Sequence, residues 1–264
     1  MVLVFILCSC TESEGSDPFP PLTLEKTYYE VMLSDYHIIQ LTSGSDRISA
    51  TVGDEDVLSA ECYVDGEPRY TRIILHGLQK GSTTLTLTDE KTGVTQTAEV
   101  KVTDNYLAYD ITFSNHPILE TSIRPFLINN EARDCYFFIM DHMQGTLRPT
   151  PIAGSYEFRV QKEADGTLNP YLYLSYPTDD DGNLDDDAPA TAHEFRIDLD
   201  DTLPVTLLVI EEALGVDLQG LADQAATTRD VIVPYTLRLT VPDTDYVIEG
   251  CIDVTTQIPE NVLK

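Results

Sequence analysis

Short runs in which apolar and polar residues alternate constrain this chain more than any other feature of its sequence. In Ser82–Thr88 two leucines fall on one face of a strand and the threonines on the other, and Thr97–Val102 repeats the pattern. The residues between them, Asp89–Gly93, are typical of a hairpin loop that ends in a glycine able to adopt a positive φ. Because period-2 alternation indicates half-buried strands, the sequence predicts a β domain over residues 22–103.

This stretch resembles the bacterial Ig-like domains of group 2, which share a Gly-Leu pair, a Lys-Gly pair, a Thr-rich strand, an Asp-bearing turn and a Val-x-Val strand. The matching segments are Gly77-Leu78, Lys80-Gly81, Thr83–Asp89 and Val100–Val102, with Ile39–Leu41 and Ser49–Val52 as front strands. The resemblance implies a β-sandwich. It also implies a spacer or adhesive role at a cell surface, without catalysis.

The second part of the chain, residues 104–264, is predicted from its pattern alone. Eight segments have strand character: Leu107–Phe113, Ile123–Ile128, Cys135–Met140, Ser155–Gln161, Tyr171–Tyr176, His193–Asp198, Val231–Val241 and Tyr246–Val254. Between Leu203 and Ala226 the apolar spacing is helical, with Gly215 at the C′ position of a first helix and Asp217 as the cap of a second. The predicted fold class is therefore mainly β: an N-terminal Ig-like sandwich followed by a second β-rich, sandwich-like domain with one or two short helices.

The charge distribution supports a boundary near residue 104. Residues 11–103 contain 16 acidic and 7 basic residues, whereas residues 104–264 contain 29 acidic and 9 basic residues. The net charge of −29 argues against binding to nucleic acid, which needs a basic surface. The same charge argues against electrostatic docking on an anionic membrane, so any membrane attachment requires a lipid.

The N-terminal residues predict such a lipid. Met1–Leu7 is an apolar run too short to span a bilayer, and it suits the apolar part of a secretory signal peptide. The following Leu7-Cys8-Ser9-Cys10 resembles the bacterial lipobox. The resemblance implies that residues 1–9 are the signal peptide and that Cys10 becomes the lipid-modified N-terminus. Residues 10–21 then form a flexible acidic and Pro-rich tether.

The acidic residues of this tether bear on localisation. Glu12, Glu14 and Asp17 follow the lipobox cysteine closely and resemble the export signal of surface lipoproteins in Gram-negative gut bacteria. The prediction is an outer-membrane protein that is anchored through Cys10 and exposed on the surface. The periplasmic face of the membrane is the alternative.

One segment has the composition of a metal site. Carboxylate and amide oxygens at Asp179, Asp181, Asn183, Asp185 and Asp187 are ligands that Ca²⁺ accepts. The twelve-residue calcium loop requires Gly at its sixth position and Glu at its twelfth, where this chain has Leu184 and Ala190. The favoured interpretation is a solvated, mobile acidic loop without a cofactor, and a calcium site is the alternative.

Two further pairs are weaker candidates. Tyr171 and Tyr173 share one face of a strand and could stack on a sugar ring, although half-buried tyrosines at a sheet surface are the more ordinary interpretation. Cys135 and Cys251 could form a disulfide in an exported protein, while free buried thiols are the alternative.

These observations favour a non-catalytic surface lipoprotein that binds a glycan or a surface protein, or that has a structural role. The sequence contains none of the G-x-S-x-G, H-E-x-x-H or phosphate-loop motifs. Two alternatives remain open: an exported carbohydrate-active enzyme or its accessory protein, which would need a pair of carboxylates, and a fimbrial or pilus-type subunit.

Overall fold

The computed structural model describes residues 19–65, 70–141, 143–162, 164–179, 184–198, 203–218, 221, 235–253 and 256–263. The chain divides into two compact units, and the division falls between Val102 and Thr103. Within the described residues, no helix has the length and apolar character that crossing a membrane requires.

Among the residues that the structure describes, seven strands build the first unit. They are β1 (Tyr28–Met32), β2 (Tyr36–Leu41), β3 (Ile48–Val52), β4 (Leu58–Asp65), β5 (Tyr70–Gly77), β6 (Gly81–Asp89) and β7 (Thr95–Thr103). One sheet has the order β1-β7-β6-β3 and the other β2-β5-β4. The second, fourth and fifth strands thus share one sheet, and the third, sixth and seventh share the other, as in immunoglobulin-type sandwiches. Here the first strand pairs with the last.

The alternation in β6 and β7 has the predicted result. Leu85, Leu87, Val100 and Val102 are at most 1% exposed, and they belong to a core that both sheets share. The intervening threonines of β6 are more exposed. Gly93 adopts a φ of +74°, so the predicted hairpin loop with a terminal glycine is confirmed.

Asp89 organises this loop from a fully buried position. Its carboxylate accepts hydrogen bonds from the Ser45 hydroxyl (2.6 Å) and from the backbone N–H groups of Ser45 (2.8 Å), Lys91 (3.0 Å) and Thr92 (3.3 Å). Burial alone would raise the pKa of Asp89, but these four hydrogen bonds outweigh it and lower the pKa to about 2. The aspartate of the turn therefore joins the 89–93 loop to the loop before β3.

We expect Asp89→Asn to lower the melting temperature of the first unit by at least about 5 °C, because an amide NH₂ would replace one acceptor oxygen and face an N–H donor. The stabilisation is present above the unfolded pKa of about 3.8 and is lost as the pH falls towards 2, so the deficit of the variant should shrink in acid. Calorimetry measures both effects. The exposed Asp56→Asn is the matched control, and an equal loss in the two variants would contradict this role of Asp89.

The described part of the second unit contains nine strands and one helix. They are β8 (Tyr106–Ser114), β9 (Ile123–Ile128), β10 (Asp134–Asp141), β11 (Thr146–Leu147), β12 (Ile152–Lys162), β13 (Leu168–Pro177), β14 (Ala190–Ile197), α1 (Leu203–Leu214), β15 (Thr236–Thr240) and β16 (Val247–Asp253). All eight strands predicted from the sequence are present, with shifted bounds. The prediction missed the short β11. For the strand predicted at Val231–Val241, residues 231–234 lie outside the described part.

The long strands form one closed antiparallel sheet. Neighbours in sequence pair with each other, from β8–β9 through β9–β10, β10–β12, β12–β13, β13–β14 and β14–β15 to β15–β16. The last strand, β16, pairs with β8 and closes the circle of eight strands. The expectation of a sandwich-like second domain is therefore corrected to a single closed sheet. Alternation predicts that one face of each strand is buried, but two packed sheets and one closed sheet bury it equally well.

Side chains from strands and helix fill the interior of the closed sheet. The strand residues include Leu107, Phe137, Leu174, Phe195 and Leu239, all at most 1% exposed. From α1 and the residues after it come Leu207, Ile210, Leu214 and Leu218, which are also fully buried. An eight-stranded closed sheet has an interior that side chains can fill.

The helix begins at Leu203 and ends before Gly215, whose φ of +60° confirms the predicted C′ residue. Glu211 accepts a hydrogen bond from the backbone N–H of Leu218 (2.7 Å), which folds the following segment back against the helix. Most of the second predicted helix, up to Ala226, lies outside the described residues.

Candidate functional site

One end of the closed sheet gathers chemistry-bearing side chains from distant parts of the sequence. In a meander of antiparallel strands, alternate connections lie at the same end, so the β8–β9, β10–β12, β13–β14 and β15–β16 connections share one end. At that end lie five aromatic side chains, which we call the histidine cluster: His116, Tyr176, His193, Phe195 and Tyr246. The acidic segment that follows β13 belongs to the same end.

Ring contacts join the members of the histidine cluster into two groups, one around His193 and one around His116. The rings of Tyr176 and His193 stack with centroids 4.3 Å apart and planes inclined by 10°. The His116 ring contacts those of Phe195 (5.6 Å) and Tyr246 (5.4 Å). His116 lies two residues after the end of β8, Tyr176 and His193 lie on neighbouring strands, and Tyr246 lies in the β15–β16 turn. The closed sheet therefore brings the cluster together.

The proton positions on His116 follow from its hydrogen bonds. Its Nδ1 accepts bonds from the backbone N–H groups of Ile118 (3.2 Å) and Leu119 (3.1 Å), so Nδ1 carries no proton and the neutral ring has its proton on Nε2. Burial, and then the proximity of His193, lowers the pKa of His116 to about 4. Burial also lowers the pKa of His193. Both imidazoles are therefore neutral at pH 7.

Two polar atoms of the cluster are buried without a hydrogen-bond partner among the described residues: the Tyr176 hydroxyl and His193 Nε2. Burial raises the pKa of Tyr176, so its phenol stays protonated. In the described part of the chain, no hydrogen bond joins either imidazole to a carboxylate or a hydroxyl. Among the described residues of this end, the arrangement offers two neutral bases and no base–nucleophile pair of the kind that covalent catalysis uses.

We expect the second unit to lose stability as the pH falls from 6.5 towards 4. A histidine whose folded pKa is depressed stabilises the fold above its unfolded pKa and loses that contribution as protons bind to the unfolded state. His116→Asn keeps an acceptor oxygen for the two backbone N–H groups but does not titrate in this range. Its melting temperature should therefore fall by several degrees less than that of the unchanged protein between pH 7 and pH 4.5.

Thermal unfolding at pH 7.0, 5.5 and 4.5 checks this prediction. His76→Asn, in β5 of the first unit, is the matched control and should follow the unchanged protein. Parallel curves for His116→Asn and the unchanged protein would show that His116 does not carry the acid sensitivity.

The acidic segment is attached to the core at its centre. Thr178 and Leu184 form an isolated antiparallel bridge, and Leu184 packs against the interior cluster. The Asp185 carboxylate accepts a hydrogen bond from the backbone N–H of Asp187 (3.0 Å), which is a local turn. Leu184, which occupies the position where the calcium loop needs glycine, is thus a packing residue. Of the predicted ligands, Asp181 and Asn183 lie outside the described residues.

Among the described residues, no group of three His, Cys, Asp or Glu side chains is placed to hold a metal ion. For the acidic segment as a whole, we expect the melting temperature with millimolar Ca²⁺ to match that with a chelator to within about 1 °C, because a bound ion would stabilise the fold by mass action. A shift of several degrees that Asp181→Asn together with Asp185→Asn abolishes would instead make the segment a metal site.

The predicted tyrosine pair does lie on one face of β13, opposite Tyr176. Tyr171 is only 7% exposed, and the two rings are 6.5 Å apart. The guanidinium of Arg159 covers one face of the Tyr173 ring at 4.4 Å. The Tyr173 hydroxyl donates to Glu194 and accepts from Gln161 Nε2 (2.7 Å). This geometry is that of half-buried tyrosines at a sheet surface, joined to neighbouring strands by polar and cation–π contacts.

The described cysteines Cys62, Cys135 and Cys251 are free thiols. Cys135 is fully buried among the interior side chains of β10, and burial raises the pKa of its thiol. Cys251 alternates with the inward-facing Ile252 on β16 and is half-buried. The two side chains therefore lie on opposite faces of the sheet, and the arrangement is that of the free-thiol alternative. Cys10 lies outside the described residues.

Comparisons with known proteins assign no family. No family model and no curated protein matches the chain. Among solved structures, domains 4 and 5 of the S-layer protein SbsC align with a TM-score of 0.29 and 14% identity. The alignment covers 32% of this chain and 45% of that structure. Domains 5–6 and domains 4–9 of SbsC each align with a TM-score of 0.28 and 11% identity over 67% of this chain, covering 96% and 31% of those structures. Likenesses at these TM-scores carry no argument about fold or function.

Proposed function

We propose that this chain is a non-catalytic lipoprotein of the outer membrane, exposed on the cell surface, whose first unit spaces the closed-sheet unit from the lipid. The order of segments along the chain supports this proposal. A lipobox-like Cys10 is followed by an acidic tether, then by a seven-stranded unit with its own core, then by a second unit with a separate core. Two independent cores joined in series suit a spacer and the domain that it presents.

The assignment of the first unit to the bacterial Ig-like domains of group 2 is part of this proposal. The segments that suggest it fall on successive elements: Gly77-Leu78 and Lys80-Gly81 between β5 and β6, the threonines in β6, Asp89 at its end and Val100–Val102 in β7. The buried hydrogen bonds of Asp89 give the aspartate of that pattern a physical purpose.

The second unit is proposed to be a binding or structural domain. Its interior is occupied by packed apolar side chains, including those of α1. The residues that contact a partner are therefore located on its outer surface and in its loops. A glycan or a surface protein would be recognised there. The periplasmic face of the membrane remains the alternative location.

The lipid anchor is tested by comparing Cys10→Ala with Cys8→Ala, its matched control two residues away. We expect Cys10→Ala to move the protein from the membrane fraction to the soluble fraction, because the net charge gives it no electrostatic affinity for anionic lipid. Cys8→Ala should remain in the membrane fraction. Membrane retention of Cys10→Ala would contradict the anchor. Protease treatment of intact cells that spares the unchanged protein would contradict surface exposure.

A further inference from the structure

The first and last strands of the first unit, β1 and β7, are neighbours in one sheet. Before β1, the carbonyl oxygen of Leu22 accepts a hydrogen bond from Gln96 Nε2 (3.2 Å). Further along the chain, the carbonyl oxygen of Thr27 accepts a hydrogen bond from the backbone N–H of Glu99 (2.9 Å). Residue numbers therefore increase in the same direction along both segments, as they do in a parallel pair.

The other end of the pair shows the same direction. A Cβ at Gly77 would lie 2.5 Å from the carbonyl oxygen of Met32 and 2.9 Å from Val102 Cγ1, so the last residue of β1 lies near the end of β7. The β1–β7 pair is thus parallel, whereas the β7–β6, β6–β3, β2–β5 and β5–β4 pairs are antiparallel. Both strands of the parallel pair begin at one end of the unit and finish at the other.

The chain enters and leaves this pair of strands at opposite ends. Lys91 Nζ lies 4.7 Å from the centroid of the Phe19 ring, and Lys91 belongs to the loop before β7. The carbonyl oxygen of Pro20 accepts a hydrogen bond from the N–H of Gly44 (2.9 Å), which holds the entering segment in place. The chain leaves the unit near Thr103, where β7 ends. At about 3.3 Å per residue, β7 separates the two points by roughly 25 Å.

We propose that the first unit bears mechanical load and that the parallel pair β1–β7, which we call the clamp, is the part that resists it. A pull on the chain from both sides of the unit draws the two strands past each other. All the contacts between them are then loaded at the same time, and β2–β6 lie outside the direct path of the load. A pull applied at one end of the pair would instead break the contacts one after another. Resistance to forced unfolding depends on the unfolding rate, and the clamp slows that rate.

Buried side chains add to the resistance of the clamp. Tyr29 and Val31 on β1 are at most 6% exposed, as are Ala98, Val100 and Val102 on β7. All five belong to the core that both sheets share. Because this core is closely packed, sliding β1 along β7 would withdraw its two side chains from their positions. The apolar contacts and the hydrogen bonds between the strands therefore oppose the same motion.

The inference rests on the proposed spacer role for the source of the tension. A spacer between a lipid anchor and a domain that holds a partner transmits any pull on that partner along its own chain. The geometry of the clamp does not require a lipid. Fractionation of Cys10→Ala tests the anchor and force spectroscopy tests the clamp, so a failure of either is distinguishable from a failure of the other.

Force spectroscopy on the chain with both units uses two arrangements of handles, each attached through an azide-bearing amino acid. In the first, the handles replace Ser16 and Asp104, so tension passes along β1 and β7 and not through the second unit. Complete unfolding of the first unit should then release roughly 270 Å of chain, which identifies the event. In the matched control, the second handle replaces Glu90, an exposed residue of the loop before β7, so both handles pull at the end where the two strands begin.

We expect the mean unfolding force to be at least about twofold higher in the first arrangement than in the control at the same loading rate. The reason is that the first arrangement shears the clamp, whereas the control peels it. Equal forces in the two arrangements would overturn the proposal.

Two variants with the same loss of methyl groups locate the resistance in the clamp. Val31→Ala removes packing from β1, and Val57→Ala removes packing from the same core outside β1 and β7. Both should lower the melting temperature of the first unit, because each leaves a cavity. Only Val31→Ala should lower the shearing force, by at least about a quarter. An equal fall in Val57→Ala would overturn the clamp, and the two handle arrangements decide the question if Val31→Ala does not fold.

Discussion

The pairing of β16 with β8 is the interaction on which the second unit depends, because it joins the last strand of the meander to the first. At this seam the register shifts: Glu249 opposes Phe113 and Gly250 opposes Ile111, so Thr112 is the extra residue of a bulge. A Cβ at Gly250 would lie 2.4 Å from the Asp110 carbonyl oxygen, so only glycine permits this approach. Without the seam, β8 and β16 would both be open edges.

Closing the sheet creates an interior that needs filling, and α1 with its following residues supplies the side chains. The helix end is held by the β9–β10 turn. Arg133, at a φ of +54°, donates to the carbonyl oxygens of Leu214 (2.5 Å) and Gly215 (3.2 Å), and Asn129 donates to that of Ala213 (3.0 Å). These carbonyl groups would otherwise be unsatisfied at a helix C-terminus. The strained backbone of Arg133 is thus accompanied by bonds that fix the helix against the sheet.

Strand positions could be predicted from this sequence, whereas the closure of the sheet and the grouping of its side chains could not. Period-2 alternation located β6 and β16 because every second side chain of each strand is buried. It did not reveal which strands close the circle, because register and closure depend on contacts between Glu249 and Phe113, which are far apart in sequence. His116 and His193 are likewise 77 residues apart, and no local motif connects them. In β9, the nearly continuous apolar run Ile123–Ile128 was the one signal of burial on both faces.

The second unit tolerates its strong negative charge because several of its arginines lie beside carboxylates on the surface of the sheet. Arg159 pairs with Glu157 on β12, and Arg238 bridges Asp198 and Glu249 across the β14–β16 surface. Exposed pairs of this kind contribute little stability individually. Their placement does prevent like charges from facing each other on neighbouring strands, which would destabilise the sheet. The described aspartates of this segment, Asp179 and Asp185–Asp187, lie instead in the connection between β13 and β14, where water and salt screen their repulsion.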